Sequence, residues 1–164
     1  CAAARFDYSC GMHETHGRGM AEDGLEPLAY EAIIVTVEQA PLFGKARLAQ
    51  IALEACRERA AGVLRACAVS PFQVHALLAG CDLYAVNRWV EQYKARCEPR
   101  LLEAIARYYA EELLDTVARY SPVWPETVYR VWQEGFHCQA YWEEASVTKR
   151  INALRDRGIL WLNR

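Results

Sequence analysis

Long apolar runs are absent from this sequence. Its 164 residues contain no stretch of eighteen consecutive apolar residues, and the first residues do not combine a basic segment with an apolar one. These absences argue against a membrane span and an export signal, and they predict a soluble, cytoplasmic protein. With 53% hydrophobic residues, the length suits one domain with a buried core.

Paired cysteine motifs are missing as well. The seven cysteines are scattered, and none forms a CxxC pair, which favours a reducing compartment over a disulfide scaffold. Cys10, His13 and His16 offer sulfur and imidazole ligands for zinc, although their spacing is tighter than in the usual Cys/His knuckle. The stretch from His13 to His16 is not the HExxH metalloprotease signature, because its histidines are three positions apart. Four further cysteines lie in apolar contexts and are predicted to be buried thiols: Cys56, Cys67, Cys97 and Cys138.

A large excess of charge of one sign is also lacking. The formal net charge is −2, which disfavours an indiscriminate nucleic-acid binder. The charges are unevenly distributed, because residues 1–31 are mainly acidic and residues 145–164 are mainly basic. A second basic group comprises Arg88, Lys94, Arg96 and Arg100. Basic segments of this kind either follow a phosphate backbone or form solvated helix faces.

Residue patterns predict an α+β domain over residues 29–164 that follows an irregular extension over residues 1–28. A helix is expected to begin at the Asp82 cap and to stop before Pro99, and a separate amphipathic helix is expected over residues 101–120. The order of elements indicates an antiparallel sheet with helices on one side. The other predicted elements are strands at 30–37, 63–69, 74–79 and 137–142 and helices at 45–61 and 143–157.

The most distinctive segment is Val131-Trp132-Gln133-Glu134-Gly135-Phe136-His137, followed by Glu143-Glu144, Asn152 and Gly158-Ile159-Leu160. In this order the residues resemble a block of the IS200-like tyrosine transposases, in particular those associated with repetitive extragenic palindromes. The resemblance spans about residues 30–162. It implies a ferredoxin-like core, single-stranded or hairpin DNA as partner, and cleavage by one tyrosine with one metal ion. It also makes the helix over 101–120 an insertion, suited to a dimer or protein contact.

The same resemblance implies a metal site at Gln73 and His75. Relatives carry two histidines at these positions, and residues i and i+2 of a strand share one face, so both can bind one Mg²⁺ or Mn²⁺. Glutamine stands at the first position here. A glutamine oxygen still ligates a hard cation, so a weak metal site is one interpretation. The other is that His75 is a hydrogen-bonded strand histidine without a metal.

The nucleophile expected from the resemblance is missing. Lys149 stands where relatives have the tyrosine, and Ala153 stands where they have a third metal ligand. Lysine cannot form a phosphotyrosine, although its ammonium group can contact a phosphate. Tyr129 and Tyr141 are the candidates for a relocated nucleophile.

Three functions therefore remain open. The first is a catalytically degenerate, transposase-derived DNA-binding protein or accessory subunit; the second is an active transesterase with a relocated tyrosine. The third is a protein-interaction module that acts through residues 101–120 and the acidic N-terminal arm. Aromatic residues such as Trp132 stack on unpaired bases but are equally typical of cores. The predicted DNA contacts are Trp132, Gln133, His137, Lys149, Arg150, Gln92 and Lys94.

Overall fold

A computed structural model describes residues 26–59, 62–120, 127–156 and 159–162. The Cys10, His13 and His16 cluster lies outside these residues, as do most of the predicted N-terminal extension and the loop over 121–126. The described elements, in chain order, are β1 (Ala29–Val35), α1 (Ala46–Glu58), β2 (Leu64–Ser70), β3 (Gln73–Ala79), α2 (Leu83–Tyr108), α3 (Ala110–Val117), β4 (Ala118–Tyr120), β5 (Thr127–Tyr129), β6 (His137–Tyr141), α4 (Glu144–Arg155) and β7 (Ile159–Leu162).

Five strands form the main sheet in the order β6-β1-β3-β2-β7, and all neighbouring strands are antiparallel. If β7 is left out, the elements follow the order β1-α1-β2-β3-α2-β6 along the chain, and the strands follow the order β6-β1-β3-β2 in the sheet. Both orders are those of a ferredoxin-like fold. The predicted α+β class and antiparallel sheet are therefore confirmed. Within the described residues, no helix is both long enough and apolar enough to cross a membrane.

The two faces of the sheet are packed differently. Side chains of Val74, Ala76 and Leu78 point into the larger core, which α1 and α2 cover. Leu77 points to the opposite face and packs with Val147 of α4. Helices therefore cover both faces, and the prediction that they lie on one side was wrong. Strand alternation therefore places every second residue of β3, including His75, on the side of α4.

The helix predicted to stop before Pro99 continues through it, so that prediction was wrong. Proline fixes φ at a helical value, and its cost is one missing backbone hydrogen bond and a clash with the preceding turn. A row of buried side chains spaced four residues apart runs along α2 on both sides of this proline, and its burial against the core offsets that cost. The row consists of Trp89, Tyr93, Cys97, Leu101 and Ile105.

The additional helical segment over 101–120 is divided in the structure. Residues 101–108 belong to α2, α3 is a separate short helix, and residues 118–120 form β4, which pairs with β5. Tyr109 separates the two helices, since its φ of −139° and ψ of 23° are not helical. Helical periodicity alone does not show this break.

Two features of the C-terminal part complete the comparison with the predicted elements. Helix α4 was predicted, and its Val147 and Leu154 are buried. Strand β7, which pairs with β2, was not predicted, because a run of four apolar residues has no distinguishing period. Among the predicted buried thiols, Cys56, Cys67 and Cys97 are buried and Cys138 is half-buried.

Candidate functional site

Glu31 of β1 is completely buried in the face of the sheet that α4 covers. Its Oε1 accepts hydrogen bonds from His75 Nδ1 at 2.9 Å and from Arg150 Nη2 at 2.5 Å. Its Oε2 accepts from the Tyr141 hydroxyl at 2.8 Å and from Arg150 Nε at 2.7 Å. We call these four residues the Glu31 network. Both carboxylate oxygens are satisfied, as a buried charge requires.

Strand register brings the network together. Ile33 of β1 lies opposite both His75 of β3 and His137 of β6, and Ala29 lies opposite Tyr141. Residues opposite each other share a face, and so do residues two apart, so Glu31, His75 and Tyr141 point the same way. Arg150 reaches them from α4, one turn after the buried Val147.

The network holds Glu31 ionised. Burial by itself would raise the pKa of this carboxyl group, but the hydrogen bonds from His75, Arg150 and Tyr141 and the positive charge of Arg150 outweigh it and lower the pKa to about 2. The hydrogen bond to Glu31 in turn raises the pKa of Arg150. An ionised carboxylate only accepts hydrogen bonds, so Nδ1 of His75 must carry a proton.

The carboxylate beside His75, where the resemblance implies a metal ion, is already paired with Arg150. Gln73 is half-buried on the same face, two residues before His75. The guanidinium group of Arg150 already occupies the nearby carboxylate, and its Nη2 lies 3.5 Å from His75 Nδ1. Glu31 is therefore engaged by Arg150 and is not free to hold a metal ion. In the part of the chain that the structure describes, no three His, Cys, Asp or Glu residues are grouped to hold a metal.

The candidate nucleophiles lie in three different environments. The Tyr141 side chain is buried, and its hydroxyl donates a hydrogen bond to the ionised Glu31 carboxylate, so a negative charge already lies beside the Tyr141 oxygen. Tyr129 is 40% exposed on β5, outside the main sheet. Lys149 is exposed on α4, and Ala153 is half-buried on the same helix.

Trp132 belongs to the larger core. Its side chain is only 6% exposed, and its ring lies 5.6 Å from that of Phe43 and 5.7 Å from that of Tyr93. Its indole Nε1 is buried without a hydrogen-bond partner. This packing accounts for Trp132 without a stacked base.

Lys94 attaches the distinctive loop to α2. Its Nζ donates to the carbonyl oxygens of Gln133 at 2.8 Å and Gly135 at 2.5 Å. Burial lowers the pKa of Lys94. The side chains of Gln133 and His137 are exposed. Lys94 therefore holds the loop that leads into β6 against α2.

The predicted site residues separate into two groups. Gln73, His75, His137 and Arg150 share the sheet face under α4. Gln92 and Lys94 lie on α2, which covers the opposite face of the sheet. Only the first group includes members of the Glu31 network, His75 and Arg150.

Glu31 was missed as a site residue, since its charge was counted only with the acidic N-terminal arm. The sequence nevertheless contains a signal for a buried, paired Glu31. Glu31 stands inside the apolar strand Ala29–Val35, and a carboxylate in such a strand is unfavourable unless it is paired.

Comparisons with known proteins give structural likenesses alone. No family model matches the chain, and no curated protein matches it either. A solved structure of a proposed transposase from Deinococcus radiodurans R1 has 17% sequence identity and a TM-score of 0.45, covering 88% of this chain and 98% of the other. A REP-associated tyrosine transposase solved with a REP hairpin has 12% identity and a TM-score of 0.41, covering 86% of this chain and 76% of the other. Neither likeness assigns a function to this chain.

Proposed function

We propose that this protein binds single-stranded or hairpin DNA on the sheet face under α4 and does not cleave it. The Glu31 network carries the proposal. A ferredoxin-like sheet does not need a buried carboxylate, and an ionised group costs free energy to bury even when it is paired. Titratable groups with strongly perturbed pKa values cluster at functional sites.

The network supplies a fixed cation. Glu31 uses two of the N–H groups of Arg150, through Nε and Nη2, and orients the guanidinium plane. Arginine held in this way is suited to a phosphate oxygen, because its remaining donors keep a fixed geometry. A phosphate therefore fits beside Arg150 better than a metal ion does.

Exposed side chains extend this surface. His137 and Gln139 of β6 and Lys149 of α4 supply polar and basic groups. Trp142, between β6 and α4, is 60% exposed and offers a ring for an unpaired base. We propose that residues 29–164 form a transposase-derived DNA-binding domain. Its proposed location is the cytoplasm.

The absence of cleavage is proposed on chemical grounds. Lysine at position 149 forms no phosphotyrosine, and the Tyr141 oxygen is buried beside Glu31. Binding of Mg²⁺ or Mn²⁺ at Gln73 and His75, which the resemblance implies, stays a proposal and is tested directly by titrating Mn²⁺ and recording its electron paramagnetic resonance signal. Equal Mn²⁺ binding by the protein and by His75→Ala would argue against that site.

Fluorescence anisotropy of labelled hairpin and linear single-stranded DNA tests the binding. We expect Trp142→Ala to weaken affinity by roughly 10-fold, since one base stack contributes about 1–3 kcal/mol. Tyr129→Ala, which removes an aromatic ring that is 40% exposed on β5, is the matched control and should leave affinity unchanged. Equal affinities of the Trp142→Ala variant and the unmodified protein would reject this surface.

A covalent adduct assay tests the second function, an active transesterase. The protein is incubated with labelled hairpin DNA and Mg²⁺ or Mn²⁺, denatured and separated by gel electrophoresis. We expect no DNA-linked band. A band that disappears in Tyr129→Phe or Tyr141→Phe would establish a relocated nucleophile and overturn the proposal.

A third function, protein binding through residues 101–120, has one structural feature in its favour. Tyr108 at the end of α2 is 46% exposed, and the guanidinium of Arg47 lies 4.1 Å from its ring centre. A homodimer or a partner subunit through this segment is tested by light scattering and pull-down with Tyr108→Ala. An unchanged mass and an unchanged set of bound partners would remove this alternative.

A further inference from the structure

Three arginines lie around Gln92 on the side of the protein formed by α1 and α2. Arg59 follows α1 directly and donates from Nη2 to the Gln92 side chain. Arg88 and Arg96 lie one turn before and one turn after Gln92 on α2. Burial is the main cause that lowers the pKa of Arg59, and the positive charges of Arg96 and Arg88 lower it further.

This arginine cluster (Arg59, Arg88 and Arg96) has no acidic partner among the described residues. Elsewhere in the described chain, Arg65, Arg100, Arg119, Arg130 and Arg150 form ion pairs with glutamates, whereas Arg47, Arg57, Arg107 and Arg155 do not. Arg59 Nε is buried without any hydrogen-bond partner. Three neighbouring like charges repel one another, so the cluster does not stabilise the fold.

The dipole of α1 explains the position of only one of the three arginines. Arg59 lies at the C-terminal end of α1, where a positive charge is favourable. Arg88 and Arg96 lie in the first half of α2, so the C-terminal dipole of that helix does not account for them. Their exposed side chains therefore point to a ligand.

An exposed ring continues the row. Tyr84 stands four residues before Arg88 and is 75% exposed, so Tyr84, Arg88, Gln92 and Arg96 follow one another at four-residue intervals. The row is about 18 Å long, from twelve residues at 1.5 Å each. An aromatic ring followed by guanidinium and amide groups is the arrangement that single-stranded nucleic acid uses, with stacking at one end and phosphate contacts along the groove.

We infer that the row formed by Tyr84, Arg88, Gln92 and Arg96, with Arg59 beside it, is a second binding surface for single-stranded DNA. It rests on the proposed DNA binding and adds a contact on the opposite side of the sheet, because α1 and α2 cover the face that α4 does not. The contacts are to phosphates and one stacked base, so this surface binds linear strands without sequence preference.

Salt-dependent anisotropy with a fluorescein-labelled thymidine oligonucleotide of about 20 nucleotides tests this surface. Each phosphate contact to a single strand contributes about 0.7 to the slope of log Kobs against log salt concentration. We expect the double variant Arg88→Gln, Arg96→Gln to reduce that slope by roughly 1.4. Tyr84→Ala should weaken binding several-fold with an unchanged slope.

The matched control also removes two positive charges, but from residues that form ion pairs. Lys45 pairs with Glu112 and Arg65 pairs with Glu144, so the double variant Lys45→Gln, Arg65→Gln also loses two positive charges. It should keep the slope of the unmodified protein. Equal slopes for the two double variants would overturn the inference, because they would show a response to net charge alone.

The two proposals fail in different ways. If Arg88→Gln, Arg96→Gln binds like the unmodified protein while Trp142→Ala weakens hairpin binding, the proposed sheet-face function stands and the second surface is rejected. The reverse result rejects the sheet face and retains the arginine cluster. An unmodified protein that binds no DNA would overturn both. Circular dichroism of each variant shows that a loss of binding is not a loss of fold.

Discussion

At the scale of single residues, hydrogen bonds to one carboxylate make the folded state sensitive to acid. The pKa of Glu31 is about 2 in the folded protein against an ordinary value of 4.5. A group with a lowered folded pKa contributes stability above its unfolded pKa and loses that contribution as pH falls towards the folded pKa. For Glu31 this window lies between about pH 4.5 and pH 2.

We therefore expect the free energy of unfolding to decrease by about 3 kcal/mol across this window through Glu31, from about 1.36 kcal/mol for each pKa unit. Urea titrations at pH 7, 4.5, 3 and 2 measure it. Glu31→Gln is the comparison: it should be less stable at pH 7, since Arg150 loses its ionised partner, and should lose less stability on acidification. An equal loss in both proteins would assign the acid sensitivity to other groups.

At the scale of the element, α2 links both proposed surfaces to the core. Its 26 residues carry the buried row that packs on the sheet, Arg88 and Arg96 of the arginine cluster on the outside, and Lys94, which attaches the loop leading to β6. Asp82 begins this helix, because its Oδ1 accepts a hydrogen bond from the backbone N–H of Ala85 at 2.7 Å.

Removing this cap should weaken the whole protein. We expect Asp82→Ala to lower the free energy of unfolding by about 1 kcal/mol. Asp82→Asn is the control, because asparagine caps about as well as aspartate. Thermal unfolding followed by circular dichroism compares the two, and equal losses would show that the charge matters rather than the cap.

At the scale of the whole molecule, β7 covers an edge of the sheet. It pairs with β2 and leaves β6 at the opposite edge. Without β7, the row of backbone groups along β2 would be open to pairing with another chain. The C-terminal residues thus limit edge-to-edge association.

A truncation after Asp156 is expected to associate as its concentration rises. Size-exclusion chromatography with light scattering measures the mass of the truncated and full chains over a range of concentrations. A chain that lacks only residues 163–164 is the control and should behave as the full chain does, because β7 ends at Leu162. A truncated chain with the mass of the full chain at every concentration would contradict this role of β7.

The local pattern of the sequence determined most of the fold. Alternation and turn residues between 29 and 79 specify β1, α1 and the β2–β3 hairpin, and the Asp82 cap begins α2. These features depend on residues close to one another along the chain, so local propensity suffices to predict them. The WQ-containing loop pointed to a family of DNA-processing proteins through resemblance alone.

Tertiary structure alone decided the site. Glu31, His75, Tyr141 and Arg150 are up to 119 positions apart, and only the sheet register and the docking of α4 bring them within hydrogen-bond distance. Likewise, the burial of the row on α2 outweighs the local cost of Pro99, and pairing with β2 makes β7 a strand. Long-range packing and pairing free energies are not properties of a short window of sequence, so the chemistry of this protein follows from its fold.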